Sequence, residues 1–385
     1  MQRLIPVLAA FAAVVAMGAP VAAETTIRAS IAIPPSGPNG DGASSNPGIS
    51  RDARFVVFAS KASNLVPDDT NGAYDVFVRD LTLETTERVS VAGDGTQANA
   101  GSFYPAISGD GRFVVFVSEA TNLVPGDTNG VDDIYVHDRT TGSTRRMSIS
   151  RRGKEPDAES FSPAISANGR WIAFTSGATT LVRGDTNGEY DVFVRDRTRR
   201  TIRRVSVSSA GTEGTGFSDR GSFSANGRYV AFHSTSEDLV PGDTNGVMDI
   251  FLRDQLKQRT RRISLTPSGG QVDGASSTPT LSANARYVAF DSSATDLVPG
   301  DANGTYDVFL RDRRTRTTTI VSVRSGGDAA NGGSSFPGTV SIAGPALFYN
   351  GKVVQAASLF PGFKDRKSTR LNSSHVALSR MPSSA

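Results

Sequence analysis

Residues 104–150 read YPAISGDGRFVVFVSEATNLVPGDTNGVDDIYVHDRTTGSTRRMSIS. Tyr104–Ser108 is a short strand, and Asp110-Gly111 is a turn dipeptide of the primed hairpin kind. Arg112–Ser118 (RFVVFVS) is an apolar, β-branched and aromatic run, the pattern of a strand covered on both faces. A long loop, EATNLVPGDTNGVD, leads to a third strand at Asp133–Asp138 (DIYVHD). Thr141-Gly142 turns the chain, and Ser143–Ser150 alternates as a fourth strand before a Gly/Ser-rich connector.

This unit recurs. Phe58, Phe116, Phe174, Phe232, Phe290 and Phe348 are each 58 residues apart, and Leu65, Leu123, Leu181, Leu239 and Leu297 keep the same step. Copies lie near residues 47–104, 105–162, 163–220, 221–278 and 279–336, with a partial copy at 337–364. One four-stranded sheet cannot cover both its faces alone, so neighbouring copies must stack. A solenoid coil would need a shorter period, and a sandwich more strands per unit. The expected fold is therefore all-β, a β-propeller of four-stranded antiparallel blades, six in number with the last truncated. Glu24–Ala32 (ETTIRASIA) resembles the fourth strand of copy one, Glu84–Ala92 (ETTERVSVA), and is expected to close the ring onto the last blade.

Two terminal segments stand outside the repeat. Residues 1–23 have the pattern of a secretory signal: Arg3, an apolar run from Leu4 to Met17, then Val21-Ala22-Ala23 at the cut. Asp365–His375 (DRKSTRLNSSH) resembles a sequencing adapter translated in frame, so 365–385 is read as non-native and the natural gene as cut near Lys364. The whole chain carries 41 basic and 38 acidic residues, net +3. Without Arg3 and the tail's four basic residues and one acid, 36 basic and 37 acidic remain, a net charge of −1, which removes the charge argument for nucleic acid. There is no cysteine, so disulfides, thiolate nucleophiles and Cys-held metals are excluded, and three histidines among 385 residues leave little for a His-rich centre. No stretch reaches membrane-spanning length. The expectation is an exported, periplasmic or secreted monomer.

The repeats resemble TolB-like, WD-related propeller blades of bacterial envelope proteins. The matching residues are Ser108, Asp110, Gly111, Arg112, Phe113 and Phe116 before and within the second strand, together with the DIYVHD or DVFVRD third strand. The resemblance covers roughly residues 24–364 and implies a propeller; it implies no particular role, because the architecture hosts many.

In an up-and-down blade the second-to-third and fourth-to-first loops share one face. The long LVPGDTNG loops and the connectors thus fall together, and the tight turns fall opposite with Arg112, Arg139, Arg145, Arg199, Arg200, Arg261 and Arg262. Long loops on a rigid frame are where binding resides. The recurring polar motif there is D-x-N-G-x-x-D, at Asp69/Asn71/Asp75, Asp127/Asn129/Asp133, Asp185/Asn187/Asp191, Asp243/Asn245/Asp249 and Asp301/Asn303/Asp307. Oxygen ligands at steps one, three and seven are part of a calcium loop. The same residues also make structural turns, Asn-Gly bending the chain and each Asp capping backbone N–H groups. The arginines either bind anions or keep exposed edge strands from pairing, with Asp138, Asp196, Asp254 and Asp312 as nearby partners. Trp171 is expected in the core, and His137 and His233 as ordinary strand residues. No G-x-S-x-G elbow occurs, and the acids recur in every copy, unlike a catalytic pair.

The leading expectation is a non-catalytic scaffold that binds an envelope or extracellular protein or glycan through its long-loop face. It assigns no catalytic residue and no cofactor. One alternative is a calcium- or glycan-binding module, with the fifteen motif residues as ligands. A second is a lyase or hydrolase, which requires a blade-specific cluster of acid, His or Arg at the central channel.

Overall fold

The computed structural model describes residues 28–32, 39–301 and 303–323, with the backbone of three short strands between 341 and 354. Blade one is β1 (Ser44–Ile49), β2 (Phe55–Ser60), β3 (Asp75–Asp80) and β4 (Thr85–Arg88). Blade two is β5 (Ser102–Ile107), β6 (Phe113–Ser118), β7 (Asp133–Asp138) and β8 (Ser143–Arg146). Blade three is β9 (Ser160–Ile165), β10 (Trp171–Ser176), β11 (Asp191–Asp196) and β12 (Thr201–Arg204). Blade four is β13 (Ser218–Phe223), β14 (Tyr229–Ser234), β15 (Asp249–Asp254) and β16 (Arg259–Arg262). Blade five is β17 (Ser276–Leu281), β18 (Tyr287–Ser292), β19 (Asp307–Asp312) and β20 (Thr317–Ile320).

Each blade is an antiparallel meander in sequence order. First strands of successive blades touch one another, and each also packs on the second and third strands of the blade before it. Sheets converging on their first strands in this way form a β-propeller. A sixth sheet of three strands follows, β21 (Ser341–Ala343), β22 (Ala346–Tyr349) and β23 (Lys352–Val354), with Phe348 on its middle strand. The remainder of the expected sixth copy, the signal and the tail lie outside the described residues.

The core lies between blades. Within a second strand, alternate residues face opposite neighbours: Val114 and Phe116 pack with Val57, Val76 and Val78 of blade one. Phe113, Val115 and Val117 pack with Ile172, Phe174 and Leu181 of blade three. That two-sided burial explains the unbroken apolar runs. Phe116 and Tyr135 are cross-strand partners, stacked at 6.0 Å, and the equivalent Phe–Phe pairs of the other four blades lie at 5.8–6.0 Å.

Three local expectations need correction. The first strand starts at Ser102, two residues before Tyr104, because a bulge at Tyr104 (φ +49°) absorbs the irregular stretch. The turn at Asp110-Gly111 is not primed, since Gly111 alone is left-handed (φ +73°) and Asp110 is not. The fourth strand stops at Arg146, because the Ser148 hydroxyl takes the Ile134 N–H in place of a backbone carbonyl. At the amino end, residues 28–32 form no strand. Ala29 packs with Val56, Phe58, Leu65 and Phe77, as Val89 packs into the next blade, so this segment covers blade one.

Candidate functional site on the long-loop face

The long loop of each blade begins where the second strand ends on a serine. In blade two, Ser118 donates to the Gly101 carbonyl at 2.9 Å and accepts the Ala120 N–H at 3.1 Å, tying loop and connector to one face. The D-x-N-G-x-x-D motif then folds around its last acid. Asp133 is fully buried and accepts Ser148 Oγ, Asn129 Nδ2 (3.0 Å) and Arg146 Nη1 (2.9 Å). Asn129 also donates to the Pro156 carbonyl at 3.3 Å, which pins the connector of the same blade. Arg146 Nη1 sits 3.1 Å from Asp127 and 2.7 Å from Glu155, and Tyr135 donates to Asp127. One guanidinium thus closes the loop on itself and on the connector.

Blades three and four repeat the arrangement. Arg204 Nη1 lies 3.0 Å from Asp185 and 2.9 Å from Asp191. Arg262 Nη1 lies 2.8 Å from Asp243 and 3.2 Å from Asp249. Their second nitrogens reach the Gly184 and Gly242 carbonyls. Blade one is looser: Arg88 is 3.4 Å from Asp69 and 3.9 Å from Asp75, and Gln97 donates to both acids at 2.8 and 3.0 Å. In blade five, Asn303 (2.9 Å) and Ser322 (2.5 Å) donate to Asp307, but the arginine position is Ile320.

The motif asparagines act as braces in every blade. Asn71, Asn187 and Asn245 donate Nδ2 to Asp75, Asp191 and Asp249 at 3.0, 3.2 and 3.3 Å. The same nitrogens reach the Ala98, Gly214 and Val272 carbonyls of the connectors at 2.9, 2.8 and 3.0 Å. The amide oxygens of Asn71 and Asn187 accept the N–H of Ala73 and Glu189, two residues on, which makes each an Asx turn. A calcium ligand would turn its oxygen, not its NH2 group, towards the acid. As placed here, Asn71, Asn187 and Asn245 make the contacts of structural turns. The physical reason is local: the buried acid needs donors, and the nearest is this amide.

Burial raises the last acids Asp75, Asp133, Asp191 and Asp249 above the usual carboxylate range, against the pull of their serine and arginine partners. Asp185 and Asp243 are pushed up to about 6, with burial the largest cause in each. Among the described residues, no three His, Cys, Asp or Glu side chains are grouped to hold a metal.

The sequence puts Arg262 on the tight-turn face, and the structure places it here instead. The fourth strand is four residues long, so its last residue, paired with Phe251, has already crossed to the loop end of the sheet. Sequence reading does not single out Arg88, Arg146 and Arg204, yet the signal is present, since with Arg262 they keep the 58-residue step, as do Ser90, Ser148, Ser206, Ser264 and Ser322.

The opposite face carries a second ion-pair set. Arg54, Arg112, Arg170, Arg228 and Arg286 each meet the last Asp of the third strand, at 2.6–2.8 Å. Asp80 and Asp254 are thereby held at about 2, through the hydrogen bond from Arg54 in Asp80 and, against burial, from Arg228 in Asp254. Aromatic rings at the start of the second strand lie between guanidiniums: Arg112 and Arg197 cover Phe113 at 4.7 and 3.7 Å. Trp171 is half-buried in the same place, between Arg170 and Arg203, and packs against the core between blades three and four. A depression between blades two and three is lined by Arg112, Asp138, Arg145 and Arg197.

A third cluster has no counterpart in the sequence reading. Each first strand bulges at one left-handed residue: Asn46, Tyr104, Ser162, Arg220 and Thr278. Beside Arg220, Asp219 accepts Thr175 Oγ1 at 2.5 Å from blade three. Buried His233 accepts the Thr278 N–H of blade five at Nδ1, 3.3 Å, and Thr278 Oγ1 donates to Asp291. Burial lowers His233 to about 4 and raises Asp291. The equivalents of His233 in blades one and two are Ala59 and Val117, so the polar set is specific to blades three to five. It is hidden in the sequence because its contacts join residues 44 and 45 positions apart in different blades.

No family model matches the chain, and no curated protein sequence does. Solved structures do. TolB from Acinetobacter baumannii aligns with a TM-score of 0.42 at 18% identity, over 72% of this chain and 53% of that one. This chain therefore spans about half of that protein's length. An oligogalacturonate lyase in complex with manganese gives a TM-score of 0.45 at 9% identity, over 71% and 63%. Porphyromonas gingivalis dipeptidyl peptidase 4 gives 0.43 at 12%, over 73% and 40%. At this level of likeness, none of them carries an argument about activity.

Proposed function

We propose that the protein is a non-catalytic propeller scaffold that presents its long-loop face to an extracellular or envelope partner, protein or glycan. The observation that carries this reading is the repeated frame of Asp, Asn, Ser and Arg beneath the loops of blades two to four. It turns the motif residues inward and leaves the loop tips, such as Pro125, Glu189 and Pro241, exposed on a preorganised surface. On this reading the motif residues of blades one to four are structural, and calcium at all five loops is the competing assignment. Among the described residues no helix is long and apolar enough to cross a membrane. Export through residues 1–23 is part of the proposal. The test compares Pro125→Lys/Glu189→Lys/Pro241→Lys with a control on the tight turns, Arg199→Glu/Leu256→Glu/Arg314→Glu. Binding to glycan arrays and to envelope extracts should be lost in the first and kept in the second. Loss only in the second would reject the assignment of face.

A second reading is favoured by the Asp219, Arg220, His233 and Asp291 cluster, which is the blade-specific set a channel site requires. There Arg220 would meet an anionic group of a small ligand. If Arg220→Ala abolishes binding of anionic saccharides that the loop-face variant still binds, this second reading replaces the first.

A further inference from the structure

Blade five lacks the arginine that every other blade sets against its acid pair. In blades two to four the guanidinium meets only oxygen: both carboxylates of the motif, the carbonyl of Gly126, Gly184 or Gly242, and a connector side chain, Glu155, Glu213 or Gln271. By the 58-residue register the motif groups in blade five are Asp301, Asp307 and the Gly300 carbonyl, with Ile320 at the arginine position and Ala329 at that of the connector side chain. Asp301 is 6% exposed; the Asn303 backbone N–H acts on its carboxylate, and among the described residues neither carboxylate oxygen has a hydrogen-bond partner of good geometry. Asp307 is wholly buried close by, and its charge and that of Asp273 both act on Asp301. Among the described residues no counter-charge faces these two buried carboxylates, and because desolvating an unpaired charge is costly, native proteins pair such groups or bind a metal with them.

We propose that blade five, alone among the five complete blades, binds a hard divalent cation, calcium, through Asp301, Asp307 and the Gly300 carbonyl. Oxygen-only ligands, carboxylate and carbonyl, with water completing the shell, match calcium chemistry and not that of a soft metal. The ion does in blade five what Arg146, Arg204 and Arg262 do elsewhere. This inference is independent of the loop-face reading, because it concerns a buried slot and not a partner surface.

The experiment uses the full chain, stripped with chelator, in calorimetric titration and thermal melting with calcium, with magnesium as the control. The expected result is about one calcium per chain and a melting temperature that rises with calcium concentration by mass action. Ile320→Arg should melt higher than wild type in chelator and lose the calcium response, because the guanidinium then fills the slot. Should that variant not fold, Asp301→Asn should also lose the response. A stoichiometry near five, a response surviving in both variants, or no calcium effect on the wild type would each overturn the proposal.

Discussion

Blades two to four and blade five share one backbone and one apolar pattern, and they differ in how a buried pair of acids is neutralised. In the former, a charged side chain from the fourth strand closes the loop. In the latter, Ile320 sits at that place, packed against the core between blades four and five. The contrast teaches that the propeller needs only apolar repetition, whereas the geometry of the long loops depends on a separate polar layer. That layer can vary in one blade without disturbing the strands below it.

Four experiments would break or sharpen this contrast. The largest effect is expected from Asp133→Ala, which strands Arg146 without its main buried partner and should cost about 3–5 kcal/mol. In chelator, with no calcium present, Asp307→Ala should cost less, about 1–3 kcal/mol, because among the described residues it removes the acceptor of Asn303 and Ser322 and strands no arginine. Equal losses in denaturant melts would mean that the arginine adds nothing. Next comes the tight-turn glycine: a Cβ on Gly227 (φ +73°) would lie 2.1 Å from Trp171, so Gly227→Ala should cost roughly 2–4 kcal/mol. Blade five already holds Ala285 there at φ +56°, over Tyr229 instead of the indole. A neutral Gly227→Ala would show that the close approach of the ring imposes no requirement on this turn. Third, Ile320→Arg should raise stability in chelator by about 1–2 kcal/mol by pairing Asp301.

The smallest effect is in pH. Asp185 and Asp243, pushed up to about 6 from 3.8, bind more protons folded than unfolded. Their contribution therefore falls as pH rises from about 4 to 6. Asp80 and Asp254, held at about 2, act the other way, and their contribution is lost as pH falls from about 4 towards 2. Melting temperature should thus fall on acidification below pH 4. A shallower decline from pH 4 to 6 should flatten in Asp243→Asn.

Much of this was legible in the chain. The step of 58 residues, seen in Phe58 to Phe290 and Leu65 to Leu297, placed the second strands and the long loops, because burial between blades demands the same apolar residues each time. The strand limits were less legible, since a bulge at Tyr104 and a hydroxyl standing in for a carbonyl at Ser148 leave no periodic trace. Of the site, the Asp and Asn positions were legible and the partner of the acids was not. Which way Asn71, Asn187 and Asn245 turn their amides was not legible either, because it follows from the burial of the acid beside them. Arg146 lies 13 residues beyond Asp133 and reads as one more strand arginine until the fourth strand's shortness carries it across the sheet. The Asp219–His233 cluster needed coordinates, because its partners come from neighbouring blades.

Backbone amide exchange across the long loops tests the central claim, that a polar frame holds them rigid, most directly. Thr128, Thr186 and Thr244 donate their N–H groups to Glu155, Glu213 and Gln271, side chains of the connectors that lie beside the arginines. The account predicts that these three amides exchange slowly in the native protein, and that Thr128 becomes fast in Arg146→Ala while the β6 amides stay protected. Fast exchange at all three in the unaltered protein, as in a mobile loop, would contradict it.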